Sequence, residues 1–210
     1  MRALTLSAQL CTNQIVNIAG DFLGDGADGD VYLVKNDTSK VIKFCKLYED
    51  NDLFEANFKS IIDVLSFLEK KSINTFAKVF SHGVLGTFDR KQIYYLDNKA
   101  LEHQQKFTLY YYIMERLNKI SEDEKRIFHS IICHEDSGTP KDLSLSTIDK
   151  MLDGMGRALD FDKKKVMFFC RNIRNLPVHH NDIHKRNIMK DNDGNFKLVD
   201  FDRSSLNTFQ

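Results

Sequence analysis

Apolar and polar positions sort the chain into a strand-rich first part and a helical second part. Residues 15–23 lead into a glycine-rich turn at 24–29, and Val31 to Val34 follows with the β-branched and aromatic content of a strand. Asn36 to Ser39 is a tight turn and Val41 to Phe44 the returning strand, so 18–45 predicts a β-hairpin pair carrying a glycine loop. From Asp52 the period changes. Leu53, Phe54, Phe58, Ile61, Ile62, Leu65 and Leu68 recur at three and four residues, which predicts a helix capped by Asp52. Residues 76–86 and 91–96 predict strands around a turn region containing Gly86. Phe107 to Met114 predicts a strongly apolar, tyrosine-rich strand.

Beyond Leu117 the pattern is more polar. Residues 118–145 mix helical and loop character, with the clearest break at Asp136 to Pro140. Residues 146–175 predict a helix, interrupted at Gly154 or Gly156 and ended by Pro177. A histidine-rich loop at 179–187, a turn at Asp191 to Gly194 and a short strand from Phe196 to Val199 complete the reading. The boundary between a strand-rich 1–117 and a helical 118–210 is expected near Leu117.

Composition narrows the class. With 210 residues, 42% hydrophobic and 29% charged, the chain has material for one domain or two small lobes sharing a cleft. Thirty basic residues balance thirty acidic ones, which argues against a strongly basic nucleic-acid binder. The four cysteines, Cys11, Cys45, Cys133 and Cys170, form no C-x-x-C pair and read as free thiols in a reducing compartment. Met1 to Cys11 lacks the long apolar stretch of a secretory signal, and no apolar run approaches the ~20 residues that span a bilayer. A cytoplasmic protein without membrane partner is the expectation; a secreted effector without a readable signal fits the same features.

Four constellations then carry chemistry. Gly24 to Val31 fits G-x-G-x-x-G-x-V and is followed by a strand, where a dinucleotide-binding loop needs a helix. Backbone N–H groups of such a loop can fold over a polyphosphate because no Cβ blocks the approach; a flexible hairpin is the plainer alternative. Lys43 follows on the next strand, where it serves either a cleft or a surface. Among the helix-side acids Glu55 is better placed to pair with it than Glu49 or Glu69. His180, Asp182 and Asn187 share a loop whose spacing lets a carboxylate face an acceptor hydroxyl while an amide oxygen holds a metal. Asp200 ends an apolar strand and offers oxygen ligands to Mg²⁺. A transition-metal site among His179, His180 and His184 is a further alternative.

In this order the motifs resemble the protein-kinase-like superfamily, which includes the eukaryotic-type protein kinases and the aminoglycoside and choline phosphotransferases. The resemblance runs from about Phe22 to Asp202. It implies a two-lobed α+β fold with a strand-rich N-lobe and a reduced helical C-lobe. It implies ATP under a loop of Gly24, Gly26, Gly29 and Val31, with Lys43 on its phosphates and Glu55 holding Lys43. Tyr112 to Leu117 resembles the hinge, with Met114 as gatekeeper and the Glu115 and Leu117 backbone on adenine. Asp182 takes the place of the catalytic base, His180 orients its loop, and Asn187 and Asp200 take the places of the Mg²⁺ (or Mn²⁺) ligands. Two departures stand out. His184 matches the small-molecule phosphotransferases, where protein kinases have lysine, and Asp202 replaces the glycine of D-F-G. Eight residues follow Asp202, where the family continues with an activation loop and peptide-docking helices. The 118–175 region, a partner chain, or a longer chain is expected to complete the acceptor site. The implied function is ATP- and Mg²⁺-dependent phosphoryl transfer to a hydroxyl of a protein Ser/Thr or a small molecule. The alternative is an inert nucleotide-binding pseudokinase acting as an interaction module.

Overall fold

A computed structural model describes residues 17–25, 29–49, 53–96, 99–132, 143–156 and 158–206, without the side chains of 92–103. The expected Asp52 cap, the break at 136–140 and the tip of the glycine loop with Gly26 lie outside the described residues. The chain is mixed α/β, with a strand-rich antiparallel sheet and four helices among the described residues. It divides into two compact units. The first takes in the chain up to Glu69 together with Val79–Glu115; the second takes in Lys70–Lys78 and the chain from Arg116 on.

The first unit holds β1 (Ala19–Asp25), β2 (Gly29–Val34), β3 (Asp37–Tyr48), α1 (Phe54–Lys70, whose last residue belongs to the second unit), β4 (Val79–Leu96) and β5 (Lys99–Glu115). The strands form one antiparallel sheet in the order β1-β2-β3-β5-β4. Central β3 is buried on both faces from Val41 to Cys45. Successive side chains alternate between those faces. Ile42 and Phe44 join Leu109 in an apolar cluster on one face. Lys43 and Cys45 fall on the other, against which α1 packs: Phe58 meets Tyr110, the partner of Cys45, with ring centroids 6.1 Å apart. Helix α1 buries Ile61, Val64, Leu65 and Leu68, the stripe that its 3.6-residue period specifies.

Gly86 corrects one expectation. It does not separate two strands but lies inside β4 at a shift of register between Val84 and Gly86, with φ 141°. Such a bulge needs an extra residue in a conformation open to glycine, so a turn signal here is absorbed by the strand. Residues 76–78, expected to open that strand, instead belong to the second unit, where Phe76 bridges Leu198 in parallel.

The second unit holds α2 (Glu122–Ile131), α3 (Leu145–Met155), α4 (Lys163–Asn172) and a 3₁₀ turn at Ile173–Asn175. The helix expected over 146–175 is therefore two helices. Gly156 caps the first, and Asp162 caps the second through its carboxylate on the Lys164 and Lys165 N–H groups. Short strands complete the unit: β6 (Asn118–Lys119), β8 (Ile188–Lys190) and β9 (Phe196–Leu198) form one sheet, and β7 (Val178–His179) pairs with β10 (Ser205–Leu206). Phe128, Phe169 and Phe196 meet edge to face, with centroids 4.8–6.0 Å apart, and anchor α2 and α4 on β9.

Candidate functional site

In the first unit, register brings three expected phosphate-handling residues into one row. Gly24 pairs with Val31, Val31 with Lys43, and Lys43 with Tyr112. Residues paired directly across antiparallel strands share a face, so this row lies on the face that α1 covers. His82 ends it opposite Tyr112, held by Ser66 (3.1 Å) and Glu69 (2.7 Å) of α1. Lys43 is 5% exposed, and its ammonium stands 5.9 Å from the centre of the Tyr112 ring. A buried ammonium is costly unless paired or stacked. The competing acids are engaged elsewhere, Glu69 with His82 and Glu49 with the Thr108 hydroxyl (3.0 Å). Glu55 is exposed in the first turn of α1.

The glycines differ in what they exclude. A Cβ at Gly29 would lie 1.9 Å from the Phe44 carbonyl oxygen, so glycine is demanded there by the closeness of β2 and β3. A Cβ at Gly24 would meet nothing within 4 Å. Met114 is buried on β5 opposite Val41 and Val79, Glu115 pairs with Lys40 as the last residue of β5, and Leu117 is buried two residues on, in the second unit.

The second unit brings His180, Asp182 and Asn187 together and ties them to the strand end before Asp200. The Asn187 side-chain amide donates to the Asp182 backbone carbonyl (3.0 Å) and to its Oδ2 (3.2 Å). That leaves the amide's Oδ1 as its accepting or ligating end. The Asn187 N–H donates to the His184 carbonyl, closing the loop, and the Asn187 carbonyl accepts from Val199 N–H (2.9 Å). His184 Nδ1 accepts from Arg186 N–H (3.1 Å), which puts the proton of the neutral ring on Nε2. Nε2 stands 3.5 Å from Asp182 Oδ2. Both neighbours therefore converge on one carboxylate oxygen of Asp182.

His180 locks the loop from beneath. Its Nε2–H donates to the Val199 carbonyl (2.8 Å), and its ring lies parallel to Phe76 and edge-on to Phe201. It is 2% exposed, and burial pushes its pKa down against the pull of Val199 and the Asp200 and Asp182 charges. A neutral ring that donates from Nε2 leaves Nδ1 as an acceptor, and Nδ1 has no partner among the described residues. Asn181 and Asp200 both adopt left-handed backbone, with φ 55° and 69°. Non-glycine residues there cost free energy and persist where the surroundings impose them. The Asn181 amide, on the Arg203 carbonyl (3.0 Å) and Ser205 hydroxyl (3.3 Å), supplies such a restraint. Neither Phe76 nor Asn181 was signalled by the sequence motif. The first is remote in the chain, and the second reads as a variable position inside it. As for the transition-metal alternative, no three His, Cys, Asp or Glu converge on a metal position among the described residues.

No protein-family model matches the chain, and no curated protein matches it. Among solved structures it is similar to a Stt7 homolog from Micromonas algae soaked with ATP, at 14% identity and a TM-score of 0.46. The match covers 90% of this chain and 50% of that one, so the chain spans about half the length of that structure.

Proposed function

We propose that the chain is an ATP- and Mg²⁺-dependent phosphotransferase with a kinase-like fold, acting on a hydroxyl acceptor. The observation that carries the reading is the arrangement around Asp182. Asn187 donates to its Oδ2 and the His184 ring stands 3.5 Å from the same oxygen, while Oδ1 receives neither. A carboxylate held by one oxygen presents the other in a fixed direction, the requirement for accepting or orienting a hydroxyl proton. In the reaction the acceptor oxygen bonds to the γ-phosphorus and its proton passes to Asp182. The bond from that phosphorus to the β,γ-bridging oxygen breaks, and ADP leaves with the electron pair.

The donor set also suits Mg²⁺. Asn187 keeps Oδ1 and Asp200 brings carboxylate oxygens, hard ligands few enough for an ion that arrives with the nucleotide and keeps several of its own waters and phosphate oxygens. When bound, the ion would neutralise charge building on the phosphates. Lys43 would do the same in the row with Gly24 and Val31, where Gly24 lets backbone approach the phosphates. His180 acts by position, fixing the Asp182 loop to the strand end that carries Asp200.

Nucleotide binding is the direct test. ATP with Mg²⁺ at a hundred times Kd should stabilise the native protein by about 2.7 kcal/mol, seen as a rise in Tm. Lys43→Ala should lose most of that rise. A wild-type Tm indifferent to every adenine and guanine nucleotide, with Mg²⁺ or Mn²⁺, would overturn the proposal.

A further inference from the structure

The second unit holds a cavity of about 320 Å³, bounded by residues 74–75, α4 and the turn between β8 and β9. That is the lower end of the range for small-molecule pockets. Its walls are fixed by the protein itself. Asp191 accepts from the Asp193 N–H (3.0 Å), the Asn195 N–H (2.8 Å) and the Asn195 amide (3.1 Å), and the Thr75 carbonyl accepts from Leu198 N–H (2.7 Å).

What lines the cavity is unspent. The side chains of Asn74, Thr75 and Asn172 make no hydrogen bond to another described residue, although Thr75 is only 4% exposed. Asn195 uses its amide nitrogen on Asp191 and keeps its carbonyl oxygen. Phe168, also in the lining, is 54% exposed. Two ammoniums and two carboxylates share this region: Lys197 lies 3.8 Å from Asp191, and the Lys165 ammonium donates to the backbone carbonyl of Asp193. The site therefore has no surplus charge for a phosphate or a cation.

From carboxamides, a hydroxyl, an open aromatic face and balanced charge, we infer that this cavity is a binding site for a nucleobase, a neutral planar heterocycle. A carboxamide sets a donor beside an acceptor, the pairing that reads the edge of adenine. The Phe168 ring supplies the face on which a base stacks, a contact worth roughly 1–3 kcal/mol. The same chemistry is offered by a free nucleoside and by a base of a single strand. The inference does not rest on the phosphotransfer reading, because none of the lining residues is Lys43, Asp182, Asn187 or Asp200.

The test follows the side-chain amide resonances of Asn74, Asn172 and Asn195 in ¹⁵N-labelled protein. Adenosine, cytidine, uridine and guanosine are titrated singly to millimolar concentration, in wild type saturated with ATP–Mg²⁺ and in Lys43→Ala. At least one nucleoside should shift these resonances saturably in both proteins. Phe168→Ser, at an exposed position, and the near-isosteric Thr75→Val should each weaken binding about tenfold. Tighter, salt-dependent binding of a short oligoadenylate than of adenosine would assign the site to a single strand; equal or weaker binding would assign it to a free nucleoside. No saturable shift with any nucleoside, or affinity unchanged in both variants, would overturn the inference. Failure of ATP to bind elsewhere leaves it standing.

Discussion

Gly24 and Gly29 stand in one motif but answer different demands. Gly29 is glycine because the Phe44 carbonyl occupies the space of a Cβ, whereas Gly24 has that space free. Gly29→Ala should therefore destabilise the protein by about 1–3 kcal/mol or more, as strands β2 and β3 are forced apart. Gly24→Ala should leave stability within about 0.5 kcal/mol of wild type and lower nucleotide affinity. Denaturant unfolding and calorimetry on both variants check the contrast; equal stability losses would show that Gly24 too is structural. At His180 the consequence is a pH dependence. Burial lowers its folded-state pKa, so as pH falls below the ordinary histidine value of about 6.5 the unfolded chain binds more protons than the folded one. The stabilisation is complete above that pH and is lost as pH falls toward the lowered value. His180→Gln should flatten the decline of unfolding free energy as pH falls below about 6.5; parallel declines in variant and wild type would remove His180 as its source.

At the scale of elements, legibility followed length and period. Strand β3 and helix α1 were readable because alternation and a 3.6-residue stripe run long enough to be unambiguous. Strands β6, β7, β8 and β10 have two or three residues each, too few to show any period, and tertiary pairing creates them. Helix α2 lies in a segment whose pattern mixes helix and loop, although Ser121 and Glu124 carry a capping-box signature. The Ser121 hydroxyl accepts from the Glu124 N–H (3.2 Å) and the Glu124 carboxylate from the Ser121 N–H (2.8 Å). No pattern announced the second use of Glu124. Buried at 6%, it also receives the Lys190 ammonium of β8 at 2.8 Å and so joins the helix to the strand that follows Asn187. Lys190 is a quarter exposed, and solvent weakens the pair accordingly. Glu124→Ala should cost about 1–3 kcal/mol in chemical unfolding, more than Ser121→Ala at about 1 kcal/mol. Equal costs would mean that the cap alone matters.

For the whole molecule, motif spacing put His180, Asp182 and Asn187 in one loop, and the second unit holds them there by hydrogen bonds. Spacing did not reveal Phe76, which reaches the loop from more than a hundred residues earlier and stacks on His180. Contacts between distant chain positions leave no local periodicity to read. The first unit aligns Gly24, Val31 and Lys43 by sheet register. On the proposed function, the Asp182 carboxylate serves transfer rather than structure or nucleotide binding. The decisive measurement is phosphoryl transfer from ATP–Mg²⁺ to any acceptor, the protein itself and lysate components included, for wild type, Asp182→Asn and Asp200→Ala, with nucleotide affinity measured in parallel. Asp182→Asn should slow transfer by about 10²–10⁴ with affinity nearly unchanged, and Asp200→Ala should lose both. Wild-type transfer in Asp182→Asn, or nucleotide binding without any transfer in the wild type, would contradict the account, and the second result would leave an inert nucleotide-binding module in its place.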